Sequence, residues 1–292
     1  MNKIFDIIRL LRPHQWLKNS FVLVGVIFGH AWLNLNTVYA AIIATIAFSF
    51  TSSGVYIIND IIDRHADKLH PTKKKRSIAA GKISVTTAAS IAFALLVINL
   101  IIGFSLSIQL GTILLTYILL NVLYSLWLKH IVIIDVFVIA LGFMLRILAG
   151  TIGIGIAPSH WLLLCSLMFT LFLGFTKRYA ECNAPMKNRN STRNVLAYYN
   201  PSLLNGLIMI TASSAIITYS LYTLSMKTVQ IHHTQHLIYT VIFVIFGIFR
   251  YLYLLYKDND ITHIDIAYTT MHDKYLVFTL LAWVTSIFYL IL

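Results

Sequence analysis

Residues 38–67 read VYAAIIATIAFSFTSSGVYIINDIIDRHAD. The first twenty-one, to Ile58, carry no charge. A helix needs about 20 such residues to cross the hydrocarbon core of a bilayer. Acids follow at once: Asp60, Asp63 and Asp67 stand within eight residues. A buried helix therefore runs straight into a carboxylate cluster at the membrane surface.

The composition agrees with a lipid solvent. Of 292 residues, 59% are hydrophobic and 11% charged, and the mean hydropathy is +0.81. Soluble domains carry roughly a quarter charged residues. Eight further apolar runs qualify as spans: roughly 18–34, 85–106, 108–128, 131–150, 160–180, 203–226, 236–256 and 274–292. Barrel strands would be alternating segments of about ten residues, and these runs are continuous. The expectation is an all-α integral membrane protein of nine transmembrane helices, a single domain over 1–292. The basic residues ahead of 18–34 resemble a signal peptide, but no small-residue cleavage site follows and this run is read as a retained helix.

The net charge of +12 marks cytoplasmic loops and anionic lipid contact, and no nucleic acid is expected. Twenty of the 22 Lys and Arg fall before the first run, after the even-numbered runs or at their ends. Lys227 and Arg146 are the two exceptions. A cytoplasmic N-terminus, an outside C-terminus and a multi-pass plasma (inner) membrane location follow. Cys165 and Cys182 suggest no disulfide framework.

The chemistry gathers after the 38–58 run. On a continuing helix Asp60, Asp63 and Asp67 share one face, with Asn59 beside Asp63. Like charges at that spacing repel until a divalent cation sits among them. Oxygen-only ligands suit Mg²⁺, which bridges carboxylates to substrate phosphates. A solvated helix end is the plainer alternative, against which stands the placement of three of only ten acids here. Lys68, Lys73, Lys74, Lys75 and Arg76 come next. They suit lipid headgroups or phosphate oxygens, Arg76 being the best-shaped bidentate donor.

The pattern Asn59-Asp60-x-x-Asp63-x-x-x-Asp67, then His70-Pro71-x-Lys73 and Arg76-x-Ile78-Ala79-x-Gly81, resembles the UbiA superfamily of intramembrane prenyltransferases. Arg12-Pro13-His14-Gln15-Trp16-Leu17-Lys18-Asn19, Tyr124-Ser125-Leu126-Trp127-Leu128-Lys129-His130 with Asp135, Gly142-Phe143-Met144-Leu145-Arg146 and Lys177-Arg178-Tyr179-Ala180-Glu181 are similar to the branch that includes decaprenyl-phosphate phosphoribosyltransferase. The resemblance implies a bundle around a central cavity, capped by cytoplasmic loops near 59–84, 129–134, 177–202 and 250–274, with its active site on the cytoplasmic side. It also implies Mg²⁺, phosphoribosyl diphosphate as donor and a polyprenyl phosphate as acceptor. Asp60, Asp63 and Asp67 become the expected metal ligands, and Asp60, Asp63 and Lys129 the catalytic group. Asn59, Asp67, Lys18, Lys73, Arg76, Tyr124, Ser125, Lys177, Arg178 and Glu181 become the expected substrate contacts.

One departure favours that branch. Aromatic prenyltransferases of the superfamily place a second aspartate-rich motif where this chain has Lys177, Arg178 and Glu181. Cations there suit the extra phosphate of a phosphoribosyl donor, although the same pair also fits a plain inner helix end. An aromatic prenyltransferase using a prenyl diphosphate is the rival enzyme, and a transporter or lipid scaffold the non-enzymatic one. Asp135 and Arg146 lie eleven residues apart, about 16 Å along one helix. Charges in hydrocarbon are costly, so each should face protein. Arg146 pairs with a neighbouring acid or steadies an anion on this reading. His232, His233 and His236 form an outside loop cluster without a fourth ligand, and Gly150, Gly153 and Gly155 match no phosphate loop. The acceptor's chain length, the pathway, the number of metal ions and homo-oligomerisation are left open.

Overall fold

The computed structural model describes residues 3–70, 73–183, 194–257 and 272–291. Within those residues every regular element is a helix. Eight helices are long and apolar enough to cross a membrane, matching eight of the nine expected runs. The described residues form two compact units, Met1–Pro158 and Ser159–Leu292.

In the first unit an amphipathic helix, α1 (Lys3–Leu11), precedes a 3-10 helix, Pro13–Leu23, and a short α2, Val24–Phe28. These last two occupy most of the expected first run, which is therefore no single long α-helix. The reason begins at Arg12, whose left-handed backbone (φ 54°, ψ 59°) and following Pro13 break helical propagation. Eleven 3-10 residues rise about 2.0 Å each and five α residues about 1.5 Å each, so this segment still covers roughly 30 Å.

Next come α3 (Leu35–Ile62), α4 (Arg64–Leu69), α5 (Val85–Leu106), α6 (Ile108–Leu126) and α7 (Ile134–Ala149). Their starts are set by side-chain caps. Asn34 Oδ1 accepts from the Thr37 amide at 3.2 Å. Ser84 Oγ accepts from Thr87 at 3.1 Å, and Ser107 Oγ accepts from Leu110 at 3.0 Å. Each satisfies an amide the first turn leaves without a partner.

Helix α3 packs on α5 and α6, and α6 on α7. The core between them holds Val22, Ala44, Ala47, Phe48, Val55, Leu110, Leu114 and Tyr117. The 3-10 segment lies against both α3 and α7. There the backbones touch: a Cβ on Gly150 would fall 1.6 Å from the Val22 carbonyl oxygen, and one on Gly25 would fall 1.8 Å from that of Gly150.

The second unit comprises α8 (His160–Asn183), α9 (Pro201–Leu224), α10 (Met226–His232), α11 (Val241–Lys257) and α12 (Lys274–Ile291). Helix α8 packs along α9, and α11 along α12. Tyr219 Oη shares a hydrogen bond with Thr240 Oγ1 at 2.7 Å and accepts from Trp283 Nε1 at 3.0 Å, so these three polar groups satisfy one another within the unit. Cys165 and Cys182 are not joined in a disulfide. Of the loops expected to close over a site, 184–193 and 258–271 lie outside the described residues, as do Pro71 and Thr72.

Candidate functional site

Helix α3 ends at Ile62 and α4 begins at Arg64, with Asp63 between them at φ −84°, ψ 2°. The turn-by-turn bonds persist: the Asp63 amide reaches Asn59 O and the Asp67 amide reaches Asp63 O, both at 2.9 Å. The acid-bearing stretch is thus nearly continuous, with one hitch at the middle acid. Asp60 and Asp67 are each 4% exposed. Carboxylates that deep must be paired.

The partners are cations from distant parts of the first unit. Arg12 Nη2 donates to Asp60 Oδ1 at 2.5 Å. Arg76 Nη1 donates to the same oxygen at 2.9 Å and to Asp67 Oδ2 at 2.7 Å. Two carboxylates therefore converge on one cationic nitrogen. Asp63 turns elsewhere. Lys129 Nζ meets its Oδ1 at 2.5 Å, and Asn59 Nδ2 donates to its Oδ2 at 3.2 Å. Ser125 Oγ, on α6, donates to Asn59 Oδ1 at 2.9 Å, which fixes the Asn59 amide so that its nitrogen faces Asp63.

The site is therefore two linked clusters: Asp60–Asp67 with Arg12 and Arg76, and Asp63–Asn59 with Ser125 and Lys129. Among the described residues no three His, Cys, Asp or Glu side chains stand at ligand spacing. The donor set nonetheless fits a hard divalent cation. Two carboxylate oxygens already meet at one positive centre, and Mg²⁺ is commonly held by one or two carboxylates plus substrate phosphates.

Beside Asp60 lies a cleft of about 340 Å³, at the lower end of the roughly 300–1,000 Å³ typical of small-molecule sites. Arg9, Arg12, Lys73, Lys75 and Arg76 line it with His14, Gln15, Ser77 and Leu10, and Asp60 is its single carboxylate among the described residues. Five cations against one acid make an anion site. The sequence reading assigned Lys73, Arg76 and Asp60 a part here, but gave Arg9, Arg12, His14, Gln15 and Ser77 none. Arg12, His14 and Gln15 enter the sequence reading through the resemblance, and Arg12 through the charge count as well. The available signal was a run of cations in a polar stretch ahead of the first apolar run.

The segment bearing Arg12 is stapled to α3. Ser53 Oγ donates to Leu11 O at 2.8 Å and accepts from Trp16 Nε1 at 3.0 Å. Lys18, on the same segment, is exposed and does not line the cleft. Tyr124 is half-buried beside Ser125. In the second unit Arg178 is buried, and its Nη1 donates to Glu181 Oε2 at 2.5 Å, while Lys177 is exposed.

Among the described residues no acid pairs with Arg146. It is 4% exposed. Its guanidinium donates to Asn19 Oδ1 at 2.8 Å, Gly142 O at 2.8 Å and Tyr117 Oη at 3.1 Å. It also lies 5.1–5.2 Å from the ring centroids of Phe48, Tyr117 and Phe143.

The model of the UbiA prenyltransferase family matches residues 19–271. A decaprenyl-phosphate phosphoribosyltransferase of Corynebacterium glutamicum is 35% identical over 219 residues, which is 74% of this chain and 66% of that protein. Its namesake in Mycolicibacterium smegmatis is 32% identical, over 77% of this chain and 72% of that protein. Among solved structures, a UbiA homolog from Archaeoglobus fulgidus bound to GPP and Mg²⁺ superimposes with a TM-score of 0.73. It covers 98% of this chain and 99% of that one at 18% identity, a likeness of fold.

Proposed function

This chain belongs to the UbiA prenyltransferase family, and from that membership we propose that it transfers 5-phosphoribose from phosphoribosyl diphosphate to a polyprenyl phosphate, releasing diphosphate. The observation that carries the reading is the cleft beside Asp60. A prenyl diphosphate offers one anionic group and a long apolar tail. A phosphoribosyl donor offers two anionic groups, the diphosphate and the 5-phosphate, on a polar ring. With five cations and, among the described residues, only Leu10 as an apolar side chain in its lining, the cleft suits the second. The phosphoribosyltransferase relatives support the same choice.

Each group then has a role. Arg12 and Arg76 hold the leaving diphosphate, while Arg9, Lys73 and Lys75 provide further positive charge for the 5-phosphate. Asp60 and Asp67 would hold Mg²⁺, with Asp63 the third candidate ligand, and the bound ion supplies charge neutralisation of the departing diphosphate. The bond from ribose C1 to the diphosphate oxygen breaks and its electron pair leaves with diphosphate. An acceptor phosphate oxygen supplies the pair for the new C1–O bond. That oxygen is already anionic near neutral pH, so no general base is needed. Positioning and charge stabilisation lower the barrier. Lys129, tied to Asp63, is the cation placed to meet the acceptor phosphate as Asp63 exchanges partners.

The distribution of basic residues supports a cytoplasmic N-terminus and a cleft on the cytoplasmic face of the plasma membrane. With the Pro13–Phe28 segment counted as the first of nine crossings, the C-terminus lies outside.

The test is incubation of protein in nanodiscs with phosphoribosyl diphosphate labelled on ribose, Mg²⁺ and a polyprenyl phosphate. Label entering the lipid phase is the expected result. Alkylation of an aromatic acid by a prenyl diphosphate, with no label in lipid, would establish the rival enzyme instead. If neither occurs, the transferase reading fails.

A further inference from the structure

Arg146 stands in hydrocarbon territory without a counter-ion. Among the described residues no carboxylate pairs with it; its hydrogen bonds go to an amide oxygen, a backbone carbonyl and a phenol. Burying an unpaired charge costs several kcal/mol even when aromatic faces soften it. Packing alone would be served as well by an apolar side chain of similar length. The arginine's partners show what the charge secures.

Its Nε bond runs to Asn19, which is wholly buried. The other end of the Asn19 amide donates to Ser49 Oγ at 3.0 Å and more weakly to Ser52 Oγ at 3.4 Å. One amide is thus clamped between α7 and α3. Asn19 sits seven residues after Arg12 in the 3-10 segment. At the segment's other end, Ser53 holds Leu11 O and Trp16 Nε1. Arg12 itself takes a left-handed backbone, φ 54°, which a non-glycine residue adopts at a cost on the order of 1 kcal/mol. A turn of that kind persists only when its surroundings hold it. Where the clamp ends, Val22 O and Gly150 are in backbone contact, leaving no slack between segment and helix.

We propose that Arg146 is a positioning residue for the donor site: acting through Asn19, it fixes the segment that brings Arg12, His14 and Gln15 to the anion cleft. It touches no substrate. Its effect falls on recognition of the phosphorylated donor and not on the lipid acceptor. The inference rests on the proposed function for its kinetic readout, and on geometry alone for its structural one.

Arg146→Met and Arg146→Lys are the variants, in nanodiscs. Losing a charge-assisted hydrogen bond of about 1.5 kcal/mol should raise the donor KM about tenfold. The kcat and acceptor KM should stay near wild type, with the lysine variant between the two. Separately, spin labels at Leu17→Cys and Lys74→Cys, both exposed and outside the cleft lining, report the segment's position in a background lacking Cys165 and Cys182. A single narrow distance distribution should broaden in Arg146→Met. An unchanged distribution with an unchanged donor KM, accompanied by a lower melting temperature, overturns the proposal and leaves Arg146 a packing residue. If the wild type uses no phosphoribosyl donor but the distribution still broadens, the proposed function fails and the positioning role stands.

Discussion

Arg76 Nη1 sits 2.9 Å from Asp60 Oδ1 and 2.7 Å from Asp67 Oδ2, the point where a divalent ion would have to be held. On the proposed function the arginine would compete with the metal until a phosphate takes it up. Replacing it with glutamine should act in opposite directions on the two ligands. A unit charge about 4 Å from another contributes roughly 1 kcal/mol in a water-like dielectric, and about twice that for a divalent partner. Arg76 is 27% exposed and the Asp60 carboxylate only 5%, so the water-like figure is the minimum. Arg76→Gln should thus bind metal alone at least about 30-fold more tightly. The same change removes a charge-assisted contact to diphosphate, about 1.5–3 kcal/mol, or roughly 10- to 100-fold in affinity. Mn²⁺, whose free form is visible by electron paramagnetic resonance, is the probe, titrated with and without inorganic diphosphate. If wild type and Arg76→Gln bind Mn²⁺ equally in the absence of diphosphate, the carboxylates are not waiting for a metal and the reasoning fails.

Asp63→Asn should abolish phosphoribosyl transfer while the protein stays in the membrane, since Lys129 and Asn59 lose their shared carboxylate but no span changes; full activity in washed membranes refutes its role. Gly150→Ala puts a methyl 1.6 Å from the Val22 carbonyl oxygen, so backbone must shift; a loss on the order of 3 kcal/mol should appear as a lower melting temperature in detergent. Hydrogen bonds from Arg250, the shortest 2.6 Å, hold the Asp273 carboxyl below its ordinary value. A depressed folded-state value means the carboxylate favours the folded state above the ordinary range, a contribution lost as pH falls through it. Melting temperature should therefore drop on acidification below about pH 4, and Arg250→Met should flatten that part of the profile.

Much of this was legible from the sequence because it depends on neighbours along the chain. Nine apolar runs could be counted, of which eight are helices long enough to cross a membrane, since twenty apolar residues in a row admit few other solutions. The crowding of Asp60, Asp63 and Asp67 was visible for the same reason. The run 18–34 reads as an ordinary span, although residues 18–23 belong to the 3-10 helix Pro13–Leu23, because hydropathy does not register helix type. That 3-10 form follows from the turn at Arg12-Pro13 and from serines on another helix.

The pairing of charges was decided by packing alone. Arg12 meets Asp60 across 48 residues, Lys129 meets Asp63 across 66 and Arg146 meets Asn19 across 127. Spacing along a helix orders the acids on a face, but only the approach of α6, α7 and the N-terminal segment selects which cation each acid receives. The sequence thus determined that carboxylates and cations would gather at one membrane surface. The tertiary structure decided that Asp60 and Asp67 share Arg76 while Asp63 goes to Lys129, because ion pairs answer to distance in space and not to order in the chain.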